Sequence, residues 1–178
     1  MHFEVFVAID ADAADAEEAV ATALADYEGQ KWDWFRLGGR FTGALTGYDP
    51  EKDPANVETC VWCKGTGRRD DATGREARKA NPEYTCNGCG GEGKRVKWPT
   101  QWAPHAGDVG SVKAALEADP PYALVIDGEW IESETFFYDH GASKGQFFKQ
   151  TDWPRVVREM LSALDAAAKR IVVVDCHN

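Results

Sequence analysis

One octapeptide pattern, C-x-x-C-x-G-x-G, occurs twice in this chain. It is CVWCKGTG at residues 60–67 and CNGCGGEG at 86–93. Each C-x-x-C brings two thiolates to one tight turn, and two such turns complete a four-thiolate site, for which Zn²⁺ is the usual metal in cells. The sequence therefore predicts one zinc ion held by four ligands, Cys60, Cys63, Cys86 and Cys89.

The rest of each repeat favours a structural role for this ion. Glycines at the sixth and eighth positions allow positive φ angles where the backbone turns past a metal. The segment is too short and polar to build a core, so we expect it to be disordered without the ion. Four cysteines would close the coordination shell, whereas catalytic zinc keeps an open position. A redox dithiol is the alternative, although a thioredoxin-like motif would occur once, at the start of a helix.

The two repeats resemble the cysteine-rich zinc-binding domain of DnaJ-type chaperones. That domain carries four repeats and two zinc ions, whereas this chain has two repeats, enough for one ion. The His-Pro-Asp tripeptide of the J-domain does not occur in the sequence. The resemblance implies zinc ligation by the four cysteines and does not imply chaperone activity.

The sequence outside the repeats predicts an α+β fold. Residues 3–10 alternate as in a strand, and residues 13–28 are typical of a helix capped by Asp10 or Asp12. Gly38-Gly39 would break a second strand, and Asp127-Gly128 favours a hairpin turn.

A short helix near residues 109–118 and a helix that starts after Asp152 complete the pattern, with a final strand in IVVVDC at 171–176. We expect a mainly antiparallel sheet with helices packed on one face, for which a ferredoxin-like arrangement is one candidate. The predicted core is 1–56 with 99–178, and the predicted zinc-binding insertion is 57–98.

Charge is distributed unevenly along the chain. The net charge is −10, which argues against a protein that coats DNA or an anionic membrane with its whole surface. Residues 60–98 nevertheless hold nine Lys or Arg and five Asp or Glu. This segment is either a solvated loop or a contact surface for a nucleic acid or a protein. The candidate contact residues are Arg68, Arg69, Arg75, Arg78 and Lys79.

The sequence shows neither a membrane-spanning apolar run nor a secretory leader, so we expect a cytoplasmic protein in which thiols stay reduced. We therefore expect an interaction module with one structural zinc ion and no membrane partner.

A second candidate site lies in KWDWFRLGGRF at residues 31–41. Guanidinium groups beside indole rings suit a phosphate or a nucleobase, because Arg binds the oxyanion and Trp stacks on the base. The candidate ligand-binding residues are Trp32, Trp34, Arg36 and Arg40. Two alternatives stay open: the aromatic rings form a core seam, or the arginines pair with Asp33, Asp127 or Asp175.

Segments spread over most of the chain, including WDW at 32–34, GGRF at 38–41 and VDCH at 174–177, are similar to small proteins of actinobacteria and their phages. This resemblance implies no activity. It makes a phage-encoded protein that sequesters a nucleotide signal and counteracts host defence the second hypothesis.

No catalytic residue is predicted. Cys176 and His177 are neighbours in the last predicted strand, so their side chains point to opposite faces, and Cys176 is expected to be a small buried residue. An enzyme that uses His177 or His105 would need a concave site that joins them with a carboxylate. His140 has no partner that the sequence assigns.

Overall fold

The computed structural model describes residues 1–102, 108–133 and 145–178. The chain divides into two compact units. Unit 1 comprises Met1–Tyr48 with Pro104–Asn178, and unit 2 comprises Asp49–Ala103. The sequence-predicted insertion, 57–98, lies within unit 2.

The described residues form nine strands and four α-helices. The strands are β1 His2–Asp10, β2 Trp34–Leu37, β3 Val57–Thr59, β4 Lys94–Val96, β5 Val109–Ser111, β6 Ala123–Ile126, β7 Glu129–Ser133, β8 Gln146–Phe148 and β9 Lys169–His177. The helices are α1 Ala16–Leu24, α2 Ala72–Ala80, α3 Val112–Glu117 and α4 Trp153–Ala163.

Unit 1 is built on a mixed, mainly antiparallel sheet in the order β2-β9-β1-β6-β7-β8. β9 pairs with β1 along its whole length, and on its other side it pairs with β5 in its first half and β2 in its second half. β1 and β6 are parallel, as are β7 and β8. The α+β prediction is confirmed.

The prediction that the helices pack on one face of the sheet is wrong. The side chains of Val5 and Val7 pack with α1 in one core cluster, whereas Phe6 and Ala8 pack with α3 and α4 in another. Successive residues of a strand point to opposite faces. Because both faces of β1 are apolar, both must be covered by helices.

A ferredoxin-like arrangement is not confirmed. In that fold a third strand separates the two parallel strands of a split βαβ unit, whereas β1 and β6 are direct neighbours. The predicted helix cap is also corrected: Asp15, not Asp10 or Asp12, accepts the N–H groups of Glu17 and Glu18 at 2.8 and 3.2 Å.

The predicted hairpin between β6 and β7 is present. Its two turn residues, Asp127 and Gly128, have φ angles of 50° and 78°. Tyr27 stabilises the turn, because its hydroxyl donates to the Gly128 carbonyl at 3.0 Å and accepts a hydrogen bond from the Trp130 backbone N–H at 2.9 Å.

Unit 2 consists of the two-stranded β3–β4 ribbon, two cysteine turns and α2 between them. The second unit contains little regular structure, so its shape depends on the turns themselves. Among the described helices of the whole chain, none is both long enough and apolar enough to cross a membrane.

Candidate functional site

The four cysteines of the two repeats come together in unit 2. Their sulfur atoms all lie within 4.8 Å of one another. The Sγ atoms of Cys60 and Cys86 are 3.8 Å apart, and those of Cys63 and Cys89 are 3.7 Å apart. In a tetrahedral tetrathiolate site with bonds of about 2.3 Å, sulfurs are separated by about 3.8 Å. The four cysteines could therefore hold a metal ion.

Each repeat closes the turn of the other. The N–H of Cys60 donates to the Gly93 carbonyl at 2.9 Å, and the N–H of Cys86 donates to the Gly67 carbonyl at 2.8 Å. The first cysteine of each octapeptide is thus bonded to the last glycine of the other. The two repeats are related by an approximate local two-fold arrangement, which places their four sulfurs around one point.

The last glycine of each repeat is required by both conformation and space. Gly67 has a φ of 72°, and a Cβ added there would lie 2.1 Å from the Gly91 carbonyl oxygen. Gly93 has a φ of 75°, and its Cβ would lie 2.3 Å from the Gly65 oxygen. The reciprocal contacts extend the two-fold arrangement and explain the glycines of the repeat.

The local environment shifts the pKa values of the cysteine thiols in different directions. Backbone N–H groups, above all that of Cys63, lower the pKa of Cys60 to about 7. Burial raises the pKa of Cys86 to about 11. The N–H of Gly93 also donates to Cys89 Sγ at 3.2 Å. Hydrogen bonds to sulfur stabilise thiolates, the form in which cysteine binds metals.

Unit 2 has almost no apolar core. Among its described residues the buried hydrophobic side chains are Cys60, Cys63, Cys86 and Trp102. The cluster at the centre of the unit contains cysteines alone. Where an ordinary domain has apolar side chains, the interior of unit 2 has four thiols. Without a metal, these thiols would contribute little of the stability that an apolar core supplies.

The basic residues predicted as a contact surface are mostly engaged within unit 2. Arg69 forms an ion pair with Asp71, and Arg78 bonds to Asp70 and to the Arg69 carbonyl. Lys79 pairs with Glu76 at 2.7 Å.

Arg68 donates to the Pro82 carbonyl at 3.2 Å, and Arg75 donates to the Asp70 carbonyl. Residues 49–103 also contain ten Lys or Arg and nine Asp or Glu, so the unit carries a net charge of only +1. The basic excess of residues 60–98 therefore does not extend over the compact unit.

The first cysteine turn presents apolar side chains instead. Val61 is 57% exposed and Trp62 is 48% exposed. The Arg69 guanidinium lies 5.0 Å from the centre of the Trp62 ring. A Cβ at Gly88, at the equivalent position of the second repeat, would collide with that ring. Trp62 is thus held in place while half of its surface stays open.

The structure separates the four predicted ligand-binding residues of unit 1. Trp32 lies in the core, and its Nε1 donates to the Leu24 carbonyl at 3.1 Å. Trp34 and Arg36 line an open groove of about 400 Å³ along β2. Arg40 is exposed, and its backbone N–H, not its guanidinium, donates to Asp175 at 2.9 Å. Among the described residues, the groove along β2 brings together Trp34 and Arg36 and is not lined by Trp32 or Arg40.

The glycine pair after β2, Gly38 and Gly39, packs closely against two buried aspartates, Asp108 and Asp175. A Cβ at Gly39 would lie 2.4 Å from the Asp175 Cβ, and one at Gly38 would lie 2.2 Å from an Asp108 oxygen. Asp108 also accepts the Gly43 N–H at 2.9 Å. Asp108 and Asp175 therefore hold the loop that carries Arg40.

Sequence reasoning missed a cluster of histidines and aspartates at the open ends of β1, β2 and β9. His2 Nδ1 lies 2.8 Å from Asp175 Oδ1, and His177 Nδ1 lies 2.8 Å from Asp33 Oδ1. The two imidazole rings are 4.9 Å apart, centroid to centroid. The sequence gives no local signal for this, because the two histidines meet through pairing of the first and last strands.

Of the three other residues considered as catalytic candidates, the structure describes one, Cys176. Cys176 is buried in the core, as expected, and burial raises its pKa further above the usual range. His105 and His140 lie outside the described residues.

No family model, no curated protein and no solved structure matches this chain.

Proposed function

We propose that this is a zinc-binding protein in which one structural Zn²⁺ folds unit 2 into an interaction module. The observation that supports this most directly is the spacing of the cysteine sulfurs, 3.7 and 3.8 Å in two cross-repeat pairs. A closed set of four thiolates selects zinc among the common cellular metals. The resemblance of the repeats to the DnaJ-type domain favours the same metal.

Metal analysis of the full chain, purified without added zinc, tests this proposal. We expect one equivalent of zinc, and a tetrathiolate charge-transfer spectrum after exchange for Co²⁺. Cys60→Ser should abolish stoichiometric binding, whereas Cys176→Ser, which changes a cysteine outside the cluster, should keep it. Less than about half an equivalent of zinc, with thiols that titrate freely in the native protein, would overturn the proposal.

The partner proposed for unit 2 is a protein. A nucleic-acid surface relies on basic groups that are available to phosphates, but most of the arginines of this unit bond to its own carboxylates and carbonyls. A half-exposed Trp that is already held in place is instead typical of the anchor of a protein interface, because little side-chain freedom is lost on binding. Val61 and Trp62 are the proposed contact residues.

Affinity capture from cell extract with three baits tests the interaction. Proteins that bind the wild-type chain through Val61 and Trp62 should be retained at high salt, lost with Trp62→Ala and kept with Trp98→Ala, a control at another exposed Trp. Binding that resists Trp62→Ala and falls steeply with salt would indicate a nucleic acid instead.

A second candidate function, nucleotide binding, is supported by the groove along β2. Trp34 is 39% exposed there and lies beside Arg36, a combination that suits a base and a phosphate. Thermal shift against a nucleotide panel tests it, since a ligand at a hundred times its Kd adds about 2.7 kcal/mol to stability. The shift should vanish in Trp34→Ala, and no shift with any nucleotide would remove this candidate.

A further inference from the structure

We propose that His2 and His177 form an acid–base pair that cleaves the phosphodiester bond of a short ribonucleotide. The substrate class rests on the nucleotide binding proposed for the groove beside Trp34. The catalytic step rests on the histidine cluster, which the zinc site and the groove leave unexplained.

The first argument is the way the two rings are held. Asp175 is only 1% exposed and accepts both the His2 Nδ1 bond and the Arg40 N–H. Asp33 holds Nδ1 of His177 in the same way from the surface. A carboxylate on Nδ1 fixes the tautomer and the orientation of an imidazole, so that Nε2 is the nitrogen that exchanges a proton with a substrate.

The second argument is that both Nε2 atoms are available. Within the part of the chain that the structure describes, neither Nε2 makes a hydrogen bond, and neither is among the buried polar atoms without a partner. Two histidines fixed by carboxylates and placed with their rings 4.9 Å apart can serve one substrate from two positions.

A metal site is the competing interpretation, because metal-bound histidines also bond to carboxylates through the second nitrogen. Geometry argues against it. Among the described residues, only the four cysteines bring three or more ligand atoms within 4.8 Å of one another. The His2–His177 cluster does not, so it lacks the three protein ligands that a catalytic zinc site requires.

The neighbours of the rings indicate the substrate. Trp34 is the cross-strand partner of His177, and its ring lies 6.0 Å from that of His2. Arg36 is the cross-strand partner of Asp175. Cross-strand partners lie on the same face of a sheet, so a cationic group and an open aromatic ring lie on the face that carries both histidines. A phosphate bonded to a nucleoside matches this set.

An acid–base pair supplies neither a nucleophile nor a metal ion, and an RNA phosphodiester needs neither, because its 2′-hydroxyl is the nucleophile. Nε2 of the neutral ring takes the 2′-hydroxyl proton as the 2′-oxygen bonds to phosphorus. The bond from phosphorus to the 5′-oxygen breaks, and the protonated ring donates its Nε2 proton to that oxygen. The products are a 2′,3′-cyclic phosphate and a free 5′-hydroxyl, and the rings have exchanged protonation states.

The test uses the zinc-loaded full chain with uridylyl-adenosine, and its 2′-deoxy form as the matched substrate control. Chromatography should show a 2′,3′-cyclic phosphate from the first and no product from the second. His2→Gln and His177→Gln should each lower kcat by about 10²- to 10⁴-fold. The double variant should lose little more than either single variant, because the rings act as a unit.

Asp33→Asn tests whether Asp33 positions His177. We expect this substitution to leave folding intact, because the Asp33 side chain is 61% exposed. It should lower kcat with KM unchanged. Lys113→Gln, on the exposed surface of α3, is the control and should match the wild type.

A thermal shift with the dinucleotide but no cleavage would overturn the acid–base pair and leave nucleotide binding standing. No cleavage of the dinucleotide, together with no thermal shift from it or from any nucleotide of the panel, would overturn both proposals. Cleavage that survives in the folded double variant would come from a contaminating nuclease and would also overturn the proposal. Zinc content is independent of each of these outcomes.

Discussion

The contact between the two cysteine repeats gives a sharp test of how the proposed metal site is built. Gly67 is the last residue of the first repeat, and its φ is 72°. Alanine there meets two obstacles: a left-handed backbone, and a Cβ only 2.1 Å from the Gly91 carbonyl oxygen. Gly90 offers a matched control, because it has a φ of 59° but nothing lies within 4 Å of its Cβ position.

The two obstacles have separate magnitudes. A left-handed conformation costs an alanine about 1–2 kcal/mol. The collision adds about 1–3 kcal/mol of overpacking, because the opposing atom is backbone and cannot rotate away. We therefore expect Gly90→Ala to cost about 1–2 kcal/mol and Gly67→Ala about 2–5 kcal/mol.

Zinc affinity is the quantity to measure. Because unit 2 has almost no apolar core, we expect its folding free energy and its metal-binding free energy to be coupled. Competition with a chelator should show roughly tenfold weaker zinc binding for Gly90→Ala and roughly 30- to 5,000-fold weaker binding for Gly67→Ala. Gly93→Ala should resemble Gly67→Ala, because its Cβ would lie 2.3 Å from the Gly65 oxygen.

Equal affinities for Gly67→Ala and Gly90→Ala would refute this reasoning. They would mean that the close approach of the two repeats does not position the sulfurs. A large loss at Gly67 with none at Gly93 would contradict the two-fold arrangement but not the presence of a metal.

Three further predictions concern the stability of unit 1, measured by chemical denaturation. Lys31→Met should cost about 3–5 kcal/mol, because it leaves the buried Glu132 carboxylate without its ion-pair partner at 2.9 Å. The double variant with Glu132→Gln should recover much of the loss, because it removes the charge and keeps an oxygen that can accept the Trp130 Nε1–H bond. Burial raises the pKa of Glu4 from 4.5 to about 7, so the stability that protonated Glu4 contributes is complete below pH 4.5 and is lost as the pH rises through 7. Glu4→Gln should therefore gain up to about 3 kcal/mol over the wild type at pH 8 and nothing at pH 4.5, and a difference independent of pH would contradict this. Tyr27→Phe should cost about 1–3 kcal/mol, because the buried Trp130 N–H loses its acceptor, and an unchanged midpoint would show that another group accepts it.

The cysteine cluster could be predicted because the information that specifies it is local. Two C-x-x-C turns specify their own geometry. The glycines at the sixth and eighth positions of each repeat indicate the tight turns with positive φ angles that the structure shows. The hairpin at Asp127-Gly128 was predictable for the same reason. The charge of the insert was a weaker guide, because sequence counts do not show that Arg69 and Arg78 bond within the unit.

The placement of the helices was not predictable from the strand pattern alone. Residues 3–9 alternate weakly, with apolar residues on both faces, and such a strand needs cover on both sides. The sequence does not state which helix covers which face. Trp32 and Trp34 show the same limit: one is buried and the other lies on the surface, although they are only two residues apart.

The candidate acid–base site could not be predicted from the sequence, because its two histidines meet only through strand pairing. His2 and His177 become neighbours because β1 and β9 pair antiparallel, with His2 opposite His177 and Glu4 opposite Asp175. A shift of one residue in that register would place His2 on the opposite face of the sheet from His177 and Trp34. The register is fixed by the apolar side chains of the two strands, which must face their own cores. Packing in the middle of the sheet therefore determines the geometry of the polar groups at its end.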